Sequence, residues 1–166
     1  PVVGVYHALF SIRNGWHTIM VNVEADVLAG AHLSKLAKSA GLVYSMAYGD
    51  QPALTCELVE WSRSIGFKVV AAGKGTKFLP EYHSSTPDTV WDYYGLSSTE
   101  AANAGMNSQM FNSFLDGTKS GLEMAAIANA TNLQAPKDGL LFPPAGVDEL
   151  ANVLKPKSMG GSLETK

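Results

Sequence analysis

His17-Thr18-Ile19-Met20-Val21-Asn22-Val23, HTIMVNV, is apolar at nearly every position. A strand with one wet face alternates polar and apolar residues, whereas a near-continuous apolar run suits a parallel strand covered on both faces. Two later runs have the same character, Leu42–Tyr48 (LVYSMAY) and Phe67–Ala72 (FKVVAA). Between them lie segments of helical period. One runs from Gly30 to Ala40, with Leu33, Leu36 and Ala37 inward and Lys35 and Lys38 outward. The other runs from Ala53 to Ser64, with Leu54, Leu58, Val59 and Trp61 inward and Pro52 suited to its first turn. Gly41 and Gly66 close the two helices. A β-α-β-α-β alternation implies parallel strands with crossover helices, hence an α/β fold. A further helix, Val2 to Arg13, precedes the first strand and ends at Asn14-Gly15.

Downstream the pattern changes. Residues 73–98, GKGTKFLPEYHSSTPDTVWDYYGLSS, combine turn formers with aromatics and read as a long functional loop, because linkers are poor in Trp and Tyr. Thr86-Pro87-Asp88 can cap a short helix through Trp91 and Tyr94, and Ser98 to Ala104 can add a turn. Residues 108–131 are expected to form one long helix, with Phe111, Leu115, Thr118, Leu122, Ala125 and Asn129 on one face. Asp116, Lys119 and Glu123 follow i, i+3, i+7 spacing and make a stripe at the edge of that face. The stripe is either a solvated ladder of ion pairs or the wall of a cleft. Gly117 and Gly121 favour close approach of another segment, because glycine weakens an exposed helix. The tail holds one short helix, Val147 to Leu154, between Pro-Pro and Gly-Gly punctuation.

Composition excludes several function classes. The chain has 166 residues, net charge −3 and no basic stripe, so nucleic acid is not an expected partner. No apolar run reaches membrane-spanning length and no signal peptide is visible, which leads to the expectation of a cytoplasmic protein. Cys56 stands alone, so no internal disulfide forms; its helical context suggests a small core residue rather than a nucleophile. Charged residues are only 16%, which points to surface buried in a larger chain or a homo-oligomer.

In a parallel sheet, ligands gather at the carboxyl ends of the strands. Asn22-Val23-Glu24-Ala25-Asp26, Gly49-Asp50-Gln51-Pro52 and Gly73-Lys74-Gly75-Thr76-Lys77 emerge there. Their carboxylates could orient substrate, bind a metal or exchange protons, and Lys74 and Lys77 could hold an anion. Asp50 could equally be plain turn chemistry. Gly-Lys-Gly-Thr-Lys is not a P-loop, and no G-x-G-x-x-G fingerprint occurs. His7, His17, His32 and His83 lack zinc-site spacing, and His83 alone falls in the aromatic segment.

Ile12–Gly30, Tyr44–Ala53, Val69–Gly75 and Met106–Leu133 (MNSQMFNSFLDGTKSGLEMAAIANATNL) resemble the homoserine dehydrogenase-like NAD(P)-dependent oxidoreductases. The closer subgroup carries a SAF domain and includes the deoxyxylulose-phosphate-reductoisomerase-like enzymes. The resemblance implies an internal fragment: residues 1–73 finish a dinucleotide-binding Rossmann-type domain whose glycine-rich unit lies upstream, and residues 74–166 form a substrate-domain segment of mostly helical α+β character. It implies a nicotinamide cofactor bordered by Asn22, Glu24 and Ala25, and a small-molecule substrate near Gly49, Asp50, Lys74 and Asn107. Lys119 would be the acid/base or polarising group, tuned by Asp116 and Glu123. Homoserine dehydrogenases have an Asn-Lys pair where this chain has the segment Asn22-Val23-Glu24, so the lysine is replaced, and the charges at Lys119 and Glu123 are exchanged relative to theirs. Both departures point to a different substrate. A phosphorylated sugar would suit Lys74, Lys77 and Lys119, and a reductoisomerase would add Mg or Mn on carboxylates such as Glu24, Asp50 or Glu123. The contrasting reading is a non-catalytic interaction module with the long helix as its interface.

Overall fold

The computed structural model describes residues 1–164. In chain order the elements are α1 (Val2–Arg13), β1 (Thr18–Met20), α2 (Val23–Ser39), β2 (Tyr44–Met46) and α3 (Gln51–Ser64), then α4 (Val90–Tyr94), α5 (Ser98–Asn103), α6 (Ser108–Leu115), α7 (Thr118–Thr131) and α8 (Leu150–Val153). The described chain is mostly helical with a small parallel sheet, consistent with an α/β class. It divides into two compact units, Pro1–Lys74 with the chain from Leu122 onward, and Gly75–Gly121.

In the first unit, β1 and β2 pair in parallel with Thr18 opposite Tyr44 and Met20 opposite Met46. α1 and α2 pack together over β1 around Ala8, Ile12, Met20, Ala25, Leu33 and Ala37. Leu33 is fully buried, and burial of a side chain this size contributes about 1.5–3 kcal/mol. Gly4 lets the helices approach: a Cβ there would lie 2.8 Å from the Ala25 methyl and 3.1 Å from Asn22 Cγ.

α2 starts well before Gly30, the expected start. Asn22 caps it, its side-chain oxygen accepting from the Ala25 N–H at 2.8 Å, and Glu24 and Asp26 in the first turn complement the helix dipole. This capping signal outweighs the glycine. Gly30 sits inside the helix, where a Cβ would collide with the Asp26 carboxylate.

Phe67–Ala72 does not form the expected third strand; among the described residues the sheet has two strands. An apolar run supplies side chains to bury but no ladder partner, so strand identity depends on tertiary pairing. Phe67 and Val70 are exposed. α3 also departs from expectation on one face. Val59 and Pro52 are buried, but Leu54, Leu58 and Trp61 are exposed. The tail helix falls where expected, as a 3-10 turn over Val147–Glu149 followed by α8.

The second unit contains the aromatic segment, which is packed rather than a loose loop. A 3-10 turn over Pro80–Ser84 and α4 place Tyr82, Val90 and Trp91 in a cluster with Ala101 and Leu115. Trp91 and Tyr94 meet Phe111 of α6 at ring-centroid distances of 5.4 and 5.5 Å. α5 carries a capping box, Ser97 with Glu100.

The expected helix 108–131 is two helices. Gly117 adopts φ 87°, a left-handed conformation that ends α6, and Asp116 Oδ1 accepts from the Thr118 N–H at 2.8 Å to start α7. Gly117 is thus a helix breaker. Gly121 is not a site of close approach: a Cβ there would face open space.

Candidate functional site

The strand ends of the first unit do carry polar groups. Met20 and Met46 close the strands, and with Val23, Asp26, Asp50, Pro52 and Ala126 they line a cavity of about 10 Å³. That is room for about one water molecule, far less than a substrate needs. Asp26 is held there by the Tyr44 hydroxyl, which donates to its Oδ1 at 2.8 Å. Burial, then this hydrogen bond and the Asp26 charge, hold the Tyr44 phenol well above its ordinary value, so it stays a protonated donor. Asp50 caps α3, accepting from the Gln51 N–H at 3.0 Å, so its turn chemistry is present alongside its place at the cavity. Gly49 precedes it at φ 100°, a conformation that favours glycine.

The expected cofactor residues lie at the start of α2. Asn22 is exposed with its oxygen engaged in the cap, Glu24 is half-buried in the first turn, and Ala25 is fully buried against α1. Ala25 therefore offers core packing and no side-chain surface to a ligand.

Lys74 and Glu123 meet. The Lys74 ammonium pairs directly with Glu123 Oε2, and the two side chains are 22% and 4% exposed. Lys74 comes from the segment after the apolar run 67–72, where Gly73 passes close to the Met124 sulfur on α7. Glu123 projects from α7, whose last turn is tied to α3 by Arg63 Nη1 donating to the Thr131 carbonyl at 2.8 Å. A cation at that carbonyl end complements the helix dipole. Glu123 is thus a buried carboxylate with a specific lysine partner, not a rung of a solvated ladder. Removing one partner of such a pair leaves a buried charge uncompensated, at about 3–5 kcal/mol.

The remaining expected residues belong to the second unit. Asn107 caps α6, accepting from the Met110 N–H at 2.9 Å. Both oxygens of Asp116 are engaged, Oδ1 by Thr118 and Oδ2 by the Asn112 amide at 3.1 Å. The break at Gly117 removes Asp116 from the stripe, since i, i+3, i+7 spacing shares a face only within one helix. Lys119 is half-buried in the first turn of α7.

Cys56 is half-buried on α3, and its thiol is pushed up by burial and by the Glu60 and Asp26 carboxylates. It is therefore protonated and a poor nucleophile, though less buried than a core residue. Among the described residues no group of three or more His, Cys, Asp or Glu side chains gathers as a metal site would require. No helix is long and apolar enough to cross a membrane.

Sequence reasoning passed over Tyr44 and Arg63. Tyr44 sits mid-strand, where an aromatic is expected for packing alone. Arg63 falls in the last turn of α3, where a basic residue already has a local explanation.

What these features define is a small parallel α/β unit with a buried lysine–carboxylate pair, and a separate helical aromatic unit. Residues 49–166 match the family described as oxidoreductase DRL, catalytic domain, and the chain belongs to that oxidoreductase family. No curated protein matches the chain.

Proposed function

We propose that the chain carries catalytic-domain residues of an NAD(P)-dependent oxidoreductase that interconverts a small carbonyl compound and its alcohol. The observation that supports this most is the Lys74–Glu123 pair in a chain of an oxidoreductase family. A lysine ammonium fixed against a buried carboxylate is a suitable donor to a carbonyl oxygen that gains charge during reduction. In the reducing direction the Lys74 ammonium polarises that oxygen and delivers a proton to it; in the oxidising direction the neutral amine takes the proton back. Glu123 fixes the position of the lysine. When bound, the nicotinamide supplies or accepts the hydride. The amide nitrogen of Asn22 and the carboxylate of Glu24 are the groups of this chain suited to border its carboxamide, while Ala25, buried in the core, stays out of that role. With its charge balanced by Glu123, Lys74 offers less to a phosphate than a free lysine would, so an uncharged carbonyl substrate is the better fit. The carboxylates named for a divalent cation do not gather into a ligand set among the described residues, so no step is assigned to one.

The test is consumption of reduced nicotinamide by the full-length protein with a panel of small ketones and aldehydes. Glu123→Gln should lower kcat/KM by about 10²-fold or more, the range for a positioned proton donor. Glu164→Gln, at an exposed pair with Lys157, is the control and should change nothing. Wild-type turnover in Glu123→Gln would defeat the proposal. Lys74→Ala, Lys119→Ala and Asp116→Asn in the same assay test whether α6–α7 supplies the acid/base group instead; a larger loss in Lys119→Ala than in Lys74→Ala would move the role there.

A further inference from the structure

Ser85 and Asn112, in the second unit, are each 7% exposed. The Asn112 side-chain nitrogen donates to the Ser85 carbonyl at 3.3 Å and to Asp116 Oδ2 at 3.1 Å. Both partners are pure acceptors, so they decide which way the amide points. A flipped Asn112 would set its oxygen against a carbonyl and a carboxylate. Asn112 Oδ1 therefore faces away from them, and among the described residues it has no hydrogen-bond partner; nor has Ser85 Oγ. Polar atoms this deep are satisfied in folded proteins by protein, water or ligand.

The two atoms have complementary needs. An amide oxygen only accepts, while a serine hydroxyl can donate. They belong to residues already joined by a hydrogen bond, one at the end of the 3-10 turn Pro80–Ser84 and one inside α6. Neither position is free to swing out. The Ser85 N–H is tied to the Tyr82 carbonyl at 3.0 Å, and Asn112 is held at both amide hydrogens.

We infer that Ser85 and Asn112 form an internal binding site for one hydroxyl group, whose O–H donates to Asn112 Oδ1 and whose oxygen accepts from Ser85 Oγ. Water and an organic alcohol share this chemistry. Either one links the segment before α4 to α6 and, through the Asn112 amide, supports the orientation of Asp116. The inference does not depend on the proposed reaction.

The experiment is NMR of the full chain, reading magnetisation transfer from water to the Asn112 side-chain amide, with and without glycerol as the alcohol probe. A water cross-peak unchanged by glycerol assigns the site to water. A glycerol-dependent shift of the same amide assigns it to an alcohol. Absence of both overturns the inference. Thermal melting gives an independent sign. If Ser85 Oγ holds a partner, Ser85→Ala lowers the Tm and abolishes the cross-peak, and Ser85→Thr, which keeps the hydroxyl, restores the cross-peak. If it were a bare buried hydroxyl, Ser85→Ala would raise the Tm instead, because deleting an unsatisfied polar atom removes its desolvation cost; that result also overturns the inference.

Discussion

At the scale of single residues, the buried polar pairs are local solutions to burial. Tyr44 and Asp26 illustrate this. The phenol is raised above its ordinary value of 10.0, so the fold binds its proton more tightly than the unfolded chain does. Stability from this pair is complete below the ordinary phenol range. It is lost as pH climbs from there toward the higher folded value, because the unfolded chain releases the proton first. Urea unfolding compared at about pH 8 and about pH 11 should therefore show a decline in wild type that is smaller in Tyr44→Phe. At the lower pH the same variant should be less stable by about 1.5–3 kcal/mol, the worth of a hydrogen bond to a charged group. Little of this was legible beforehand. Glu24, Asp50 and Lys74 stood out because carboxylates and lysines after apolar runs attract attention. Lys74 and Glu123 were both singled out from sequence but assigned to different roles, because 49 residues of chain separate them and no local pattern joins them.

At the scale of elements, the sequence was readable wherever a cap or a breaker acts within a few residues. Pro52 and Gly41 mark ends of α3 and α2 as expected, and the tail helix falls in place. Errors came where two local signals competed. Gly30 looked like a boundary, but the Asn22 cap upstream governs where α2 starts. Gly117 looked tolerable in a helix, but its left-handed φ, with Asp116 beside it, ends one helix and begins another. Gly117→Ala tests that account. Alanine in this conformation is strained by about 1–2 kcal/mol, and the unfolding midpoint in urea should fall accordingly. A neutral or stabilising effect would mean that α6 and α7 can join into the single helix the sequence suggested. Phe67–Ala72 shows a different limit, since strand formation needs a neighbour that no local pattern encodes.

At the scale of the whole molecule, each unit has its own apolar cluster, one around Leu33 and one around Trp91. Separate cores are expected to unfold with separate midpoints. Trp91 lies in the second unit and Trp16 and Trp61 in the first, so single-tryptophan variants can follow each by fluorescence. Coincident transitions would show that the division has no thermodynamic meaning. The low charge fraction finds its counterpart in the exposed Leu58, Trp61, Tyr6 and Phe10. Self-association remains a proposal, to be tested by sedimentation over a range of concentrations. Cys56 has a practical consequence. The molecule's sole thiol, it is half-buried, and burial with the Glu60 and Asp26 carboxylates pushes it up, so it stays in its unreactive acid form at neutral pH. Alkylating reagents should modify it slowly in native buffer and rapidly in denaturant, so its labelling rate can time the opening of α3 without any engineered tag.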